Sequence, residues 1–219
     1  MNDFGFYFRI GWEHIITWEA LDHIFFIAAL AAIYLLKDWK PVLILVTAFT
    51  VGHAVTLLLS ARNIFTVNEE WVEFLIPCTI VITAVTNLFQ KSFTKRAIRI
   101  NYVLALFFGL IHGLAFANTL KWLLADDQSF VTAWLGFTVG LELGQILVVF
   151  LILLLAQLFV QKLNLDRRIW VWVISIGVAA FSLKMAIERI PQKESRKAFE
   201  TNKSIPLLVE KAGHHASFT

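Results

Sequence analysis

Apolar positions along the chain gather into long runs separated by short polar clusters. Six runs stand out, at 13–36, 41–60, 71–90, 102–121, 130–161 and 169–190. A helix needs about 20 apolar residues to cross a hydrocarbon core of about 30 Å, at about 1.5 Å per residue. Each run is bounded by charge or by a helix breaker, as at Lys37-Asp38 with Pro41 and at Lys91 to Arg99. The pattern predicts an all-α polytopic membrane protein, a single bundle of six transmembrane helices within residues 1–190. The fifth run is long enough to tilt or protrude. Short turns predict that consecutive helices pack as antiparallel neighbours. Residues 191–219 are polar and predict a mobile tail.

Composition narrows the class. Of 219 residues, 58% are hydrophobic and 16% charged, whereas soluble domains carry about 25% charge. These figures exclude a soluble domain, a disordered chain and a nucleic-acid-binding arm, even with a net charge of +3. The bilayer is the expected partner, and nucleic acid is not. The single cysteine, Cys78, excludes an internal disulfide and a cysteine-based zinc or iron–sulfur site. The N-terminus has no basic region, apolar core and small-residue cleavage site in succession, so no signal peptide is expected.

Loop charge sets direction. On one side lie Lys37, Lys40, Lys91, Lys95, Arg96, Arg99, Lys162, Arg167 and Arg168; the loops of the other side carry Arg9, Arg62 and Lys121. The first side is expected to be cytoplasmic. Both termini are then periplasmic, in the inner membrane of a bacterium. The basic residues of the tail, from Arg189 to Lys211, weigh against this asymmetry.

Ionisable residues inside a span cost about 2.5–3.5 kcal/mol each on insertion scales. The first run holds His14, Glu19, Asp22 and His23; His53, His112, Glu142 and Lys184 lie in later runs. Counted from the terminal-bearing side, His23, His53, His112 and Glu142 fall at about 10–18 Å depth, so four helices deliver their costliest residues to one layer. Gly136, Gly140 and Gly144 form a smooth face for a helix contact, and Glu142 points away from it. Thr56 continues the face of His53, and Thr79, Thr83 and Asn87 form a polar track on the third run. Glu73 lies near the entrance, and Pro77 is expected to kink that helix. His23, His53, His112, Asp22, Glu142 and His14 are the candidate metal ligands. Glu19, Glu73, Thr56 and Asn87 are candidate pathway residues.

Neutral imidazole suits nickel, cobalt, zinc, copper or iron, and carboxylates would balance charge or fix a tautomer. Taken singly, these residues have simpler readings. A lone intramembrane histidine is commonly a helix–helix hydrogen-bond partner, and Glu142 alone reads as a protonated structural carboxyl. Likewise His14 reads as interfacial, Lys184 as snorkelling, and His214 and His215 as solvated tail. The common depth is what favours one shared site.

The segments Gly11 to His14, Asp22-His23 before Ile24-Phe25-Phe26, Phe49 through His53 to Leu57, Phe108 through His112-Gly113 to Phe116, and Gly140-Leu141-Glu142 resemble the HupE/UreJ family. The resemblance spans about residues 11–190. It implies a membrane protein of six to eight helices regarded as a nickel or cobalt permease, often associated with hydrogenase or urease maturation. It also implies that His14, Asp22, His23, His53, His112 and Glu142 handle metal. Zinc, iron, manganese and copper stay open. No P-loop or phosphorylatable motif occurs, so the membrane potential or proton exchange would drive transport. No His-Glu-x-x-His spacing occurs either, and an enzyme is not expected. The alternative is a non-transporting membrane subunit with a structural metal or haem site. The Gly136/Gly140/Gly144 face would then meet a second copy or a larger complex.

Overall fold

The computed structural model describes residues 3–17, 20–62, 64, 67–89, 95–116 and 130–191. Glu19 and the tail from 192 to 219 lie outside the described residues, as do 90–94 and 117–129. Among the described residues the regular structure is helical: α1 (Asp3–Ile16), α2 (Leu21–Ala31), α3 (Trp39–Ala61), α4 (Glu69–Phe89), α5 (Lys95–Ala115), α6 (Phe130–Ala156) and α7 (Arg167–Glu188). A 3-10 turn, Leu36–Asp38, leads into α3, and a π turn, Gln157–Lys162, extends α6. Among the described residues four helices are long and apolar enough to cross a membrane: α3, α4, α6 and α7. The α1–α2 pair makes a fifth crossing if its two parts are one span.

The expected first span, 13–36, is therefore corrected. Its helix begins at Asp3, stops at Ile16 and restarts at Leu21, and the two axes meet at 67°. The polar sequence around the break, with Thr17, Asp22 and His23, interrupts the apolar pattern that a continuous crossing needs. In the fourth expected span the apolar helical stretch is short, Asn101–Ala115. By contrast α4 runs unbroken through Pro77, and the long α6 with its π extension covers 33 residues.

The expected pairing of consecutive helices is also corrected. The extensive contacts are α1 with α6, α3 with α5 and α4 with α7. Glycine explains the first two. A Cβ on Gly140 would lie 2.0 Å from Phe8 O, and one on Gly136 2.7 Å from Phe4 O. The matched residues rise together, so α1 and α6 run parallel. On the other pair, a Cβ on Gly109 would lie 2.1 Å from Phe49 O, and one on Gly113 2.3 Å from His53 O. Thus α3 and α5 are parallel too. Parallel helices cannot be joined by a tight turn, so the chain leaves the antiparallel order to bring its glycine faces into contact. The face at Gly136, Gly140 and Gly144, expected to make a close helix contact, packs against α1 of the same chain.

Polar ties fix the remaining registers. Trp134 Nε1 donates to Ala54 O at 2.9 Å and Thr50 Oγ1 to Gln145 Oε1 at 2.9 Å, joining α3 to α6. Asn87 Nδ2 donates to Ala29 O at 2.6 Å, joining α4 to α2. Asn164 adopts a positive φ of 53° in the reversal before α7, a conformation that asparagine tolerates better than most residues. Asp166 then caps α7 by accepting from Arg168 N.

Gly140→Ala should lower stability in detergent by about 1–3 kcal/mol, because the added methyl meets backbone that cannot yield. Gly177, where a Cβ meets nothing within 4 Å, is the control: Gly177→Ala should be neutral or slightly stabilising. Equal melting temperatures for the two variants would contradict the close approach of α1.

Candidate metal-binding chamber

Each of three histidines sits beside a glycine contact: His14 three residues after Gly11, His53 directly after Gly52, and His112 directly before Gly113. A Cβ on Gly11 would fall 2.0 Å from Phe137 O, and one on Gly52 2.3 Å from Leu106 O. Where backbones approach this closely, side chains on neighbouring positions are carried into one space. The restart of the chain at α2 adds Asp22 and His23 from a helix N-terminus.

The four imidazoles meet there. Ring centroids are 4.8 Å apart for His14 and His23, 5.1 Å for His23 and His112, and 6.1 Å from His53 to both His14 and His23. Imidazoles sharing an ion at about 2.0–2.1 Å place their centroids about 4.5–5.2 Å apart, depending on the coordination angle. The pairs of His23 with His14 and with His112 have that spacing, and His53 stands about one ångström outside it. Among the described residues no three His, Cys, Asp or Glu side chains already aim their donor atoms at one point. Turning the rings about their soft terminal torsion would be needed to converge them.

Hydrogen bonding decides which nitrogens are available. Asp22 Oδ1 lies 2.9 Å from His23 Nδ1 and also accepts from His23 N at 2.8 Å. A carboxylate only accepts, so Nδ1 carries the hydrogen and His23 Nε2 keeps a lone pair. Thr79 Oγ1 gives its own hydrogen to Ile76 O at 2.7 Å, so at 3.4 Å it accepts from His112 Nε2. His112 Nδ1 is then the bare nitrogen. His14 Nε2, His23 Nε2, His112 Nδ1 and both nitrogens of His53 are buried with no protein partner. An unsatisfied buried group costs about 1–3 kcal/mol. Five such nitrogens lie in one cluster, two of them with the bare nitrogen fixed by a neighbouring hydrogen bond.

The cluster borders a cavity of about 670 Å³ whose lining includes Glu13, Thr17, Asp22, His14, His23, Glu73 and His112. Glu13 and Glu73 supply negative charge; Glu13 Oε1 is 2.7 Å from Arg9 Nε. Arg189, in the turn after α7, sets Nη1 3.5 Å from Asp22 Oδ2. The guanidinium and the His23 ring thus hold opposite oxygens of one carboxylate.

A family model described as HupE / UreJ protein matches residues 1–189. The chain belongs to the HupE/UreJ family. That family is associated with nickel and cobalt transport and is transporter-type rather than enzymatic. Neither a curated protein nor a solved structure matches the chain. The apolar helices and the family together describe a multi-pass membrane protein.

Within this HupE/UreJ chain the structure gathers His14, His23, His53, His112 and Asp22. Glu142 is not gathered with them: its Oε1 accepts from Thr47 Oγ1 at 2.6 Å, on the α3 side of α6. The reason is rotational. Gly140 and Gly144 face α1, which carries His14, and Glu142 lies on the far side of the same helix. Glu73 lines the cavity. Thr56 instead packs at the α3–α5 contact, its hydroxyl donating to Gly52 O and His53 O at 3.1 and 3.2 Å. Asn87 lies deeper, tied to α2. Sequence reasoning missed Glu13 and Arg189. The signal for Glu13 was its adjacency to His14; for Arg189, at the end of the last run, the sequence carried no signal of its contact with Asp22.

The tautomers are testable by ¹⁵N NMR of histidine-labelled protein in bilayers. His23 should be protonated on Nδ1 and His112 on Nε2, and Asp22→Asn should disturb the His23 signals while leaving those of His112 largely in place. The reverse tautomer at His23 would contradict the Asp22 arrangement.

Proposed function

We propose that this HupE/UreJ protein is a permease for a divalent transition-metal ion, nickel or cobalt, with the histidine cluster as its substrate site. The reading rests chiefly on one observation: five buried imidazole nitrogens without protein partners, beside an open cavity with acidic residues in its wall. The carboxylates of Glu13 and Glu73 would raise the local cation concentration. Imidazole nitrogens would replace part of the ion's water shell. Asp22 would orient His23 and strengthen it as a ligand, as carboxylates behind metal-bound histidines do. Because imidazole must be unprotonated to ligate, binding releases any protons held there, which couples metal and proton movement. In the proposed orientation the chamber opens to the periplasm, the basic loops face the cytoplasm, and the site serves uptake.

A broken first span is consistent with this role. Transporters commonly build ion sites where a membrane helix is interrupted, since the free helix ends supply polar groups within the bilayer. Here the break puts the last turn of α1, with His14, beside the first turn of α2, with Asp22 and His23.

Calorimetry of the purified protein against nickel, cobalt, zinc, manganese and iron(II) should give saturable binding that weakens as pH falls, because protons compete for the ring nitrogens. Asp22→Asn should weaken it by about 10–100-fold. His23→Ala or His112→Ala should abolish uptake by cells while the protein remains inserted. Metal binding by the wild-type protein with no uptake that depends on its expression would instead favour the non-transporting subunit. Independently, a cysteine at position 95 should be labelled from the cytoplasm in a Cys78→Ser background; periplasmic labelling would reverse the proposed orientation.

A further inference from the structure

Three phenylalanines from three helices pack against the histidine cluster. Phe26, Phe49 and Phe108 are 1%, 2% and 4% exposed. Their rings interlock, with centroids 4.9 Å apart for Phe26 and Phe49 and 5.8 Å for Phe26 and Phe108. The imidazoles rest on this layer: His112 is 5.4 Å from Phe26 and 5.1 Å from Phe49, and His23 is 6.2 Å from Phe49. No ion that keeps any water crosses packed aromatic rings, because nothing there replaces the lost hydration.

Polar chemistry resumes on the other side of Phe108. That residue also lines a second, small cavity of about 20 Å³ with Thr83, Thr86, Asn87 and Asn101 in its wall. The space is about that of a single water molecule or ion. The threonines of α4 share a bonding habit. Thr79 Oγ1 donates to Ile76 O at 2.7 Å, Thr83 Oγ1 to Thr79 O at 2.8 Å and Thr86 Oγ1 to Thr83 O at 2.8 Å. Each hydroxyl hydrogen is thus committed to its own helix, and what remains on these oxygens is lone pairs. Asn87 likewise commits its NH₂ to Ala29 O, leaving its amide oxygen as the acceptor end. Thr79 is also the partner of His112, so the run of acceptor oxygens starts at the cluster and ends in the second cavity.

We propose that Phe26, Phe49 and Phe108 form a gate, and that Thr83, Thr86, Asn87 and Asn101 form a second, weak cation site into which the ion passes before release. The proposal rests on the permease reading and gives it a direction. Imidazole binds late first-row divalent ions more tightly than neutral hydroxyl and amide oxygens do. The first site therefore captures and the second releases, the combination of strong entry and weak exit that conduction requires. Among the described residues the wall of the second cavity holds no carboxylate, so it holds a divalent ion only briefly.

The test uses the full-length protein in liposomes loaded with a nickel-sensing dye, alongside nickel calorimetry of the same preparations. Asn101→Leu fills the second cavity, and Thr83→Val removes its hydroxyl oxygen with little change of shape. Both should leave the chamber's nickel affinity within about twofold of wild type while slowing flux by about tenfold or more. Intact chamber affinity also reports that each variant is folded. Phe108→Ala should do the opposite, letting a thiol reagent added at the chamber face reach a cysteine placed at position 83 in a Cys78→Ser background, which the wild-type ring should prevent. Wild-type flux in both Asn101→Leu and Thr83→Val, or equal labelling with and without Phe108, would overturn the gate and second site alone. Nickel binding by the wild type without any flux would overturn the permease reading and this pathway with it.

Discussion

Backbone-to-backbone contact at glycine is the constraint on which the rest of the bundle depends. In lipid, helices gain little from hiding apolar side chains from one another, because the surrounding acyl chains are as apolar as leucine. Association then relies on close fit and on polar ties. This chain brings α1 onto α6 and α3 onto α5 so closely that a methyl group at Gly11, Gly109 or Gly140 would overlap a carbonyl oxygen. The same contacts set the positions of His14, His53 and His112, which lie within three residues of the glycines involved. Helix packing and site assembly are therefore one event, and a substitution that separates the backbones would also scatter the imidazoles.

The chamber that results is polar in a place where polarity is expensive. Asp22 meets that cost with three contacts: the His23 ring, the His23 backbone N–H and the Arg189 guanidinium. The histidines do not meet it within the protein, since five of their nitrogens have no protein partner. A site complete in itself would have paired those atoms with serine, threonine or backbone, as Thr79 does for His112 Nε2. A satisfied carboxylate thus stands beside unsatisfied imidazoles in one cluster. On the permease reading, the partner-free nitrogens are the seat of the metal ion.

Donor chemistry also changes with depth. Nitrogen donors lie against the open cavity, a layer of aromatic rings follows, and hydroxyl and amide oxygens lie beyond. Such an order suits a carrier that must both attract a divalent ion and let it go. It further explains why α4 tolerates so many threonines: each satisfies its hydrogen on the preceding turn and so adds an acceptor without adding an unpaired donor.

The amino-acid sequence by itself determined that the chain is helical and membrane-embedded, and the length of its apolar runs is the reason. It also singled out His23, His53, His112 and Asp22 as the costly residues of the apolar runs, and the structure brings their side chains together. What it could not determine was rotation and partnership. Glu142 is another such residue but faces α3, since the glycine face of α6 turned toward α1. His14, which reads as interfacial from its tryptophan neighbours, became a member of the cluster because the first span begins ten residues early and breaks at residue 17. Turn length suggested antiparallel neighbours, yet two principal pairs are parallel. Only the tertiary structure decided these points, because in a bilayer the choice of neighbour depends on how closely two surfaces fit, and that fit belongs to pairs of helices rather than to either one alone.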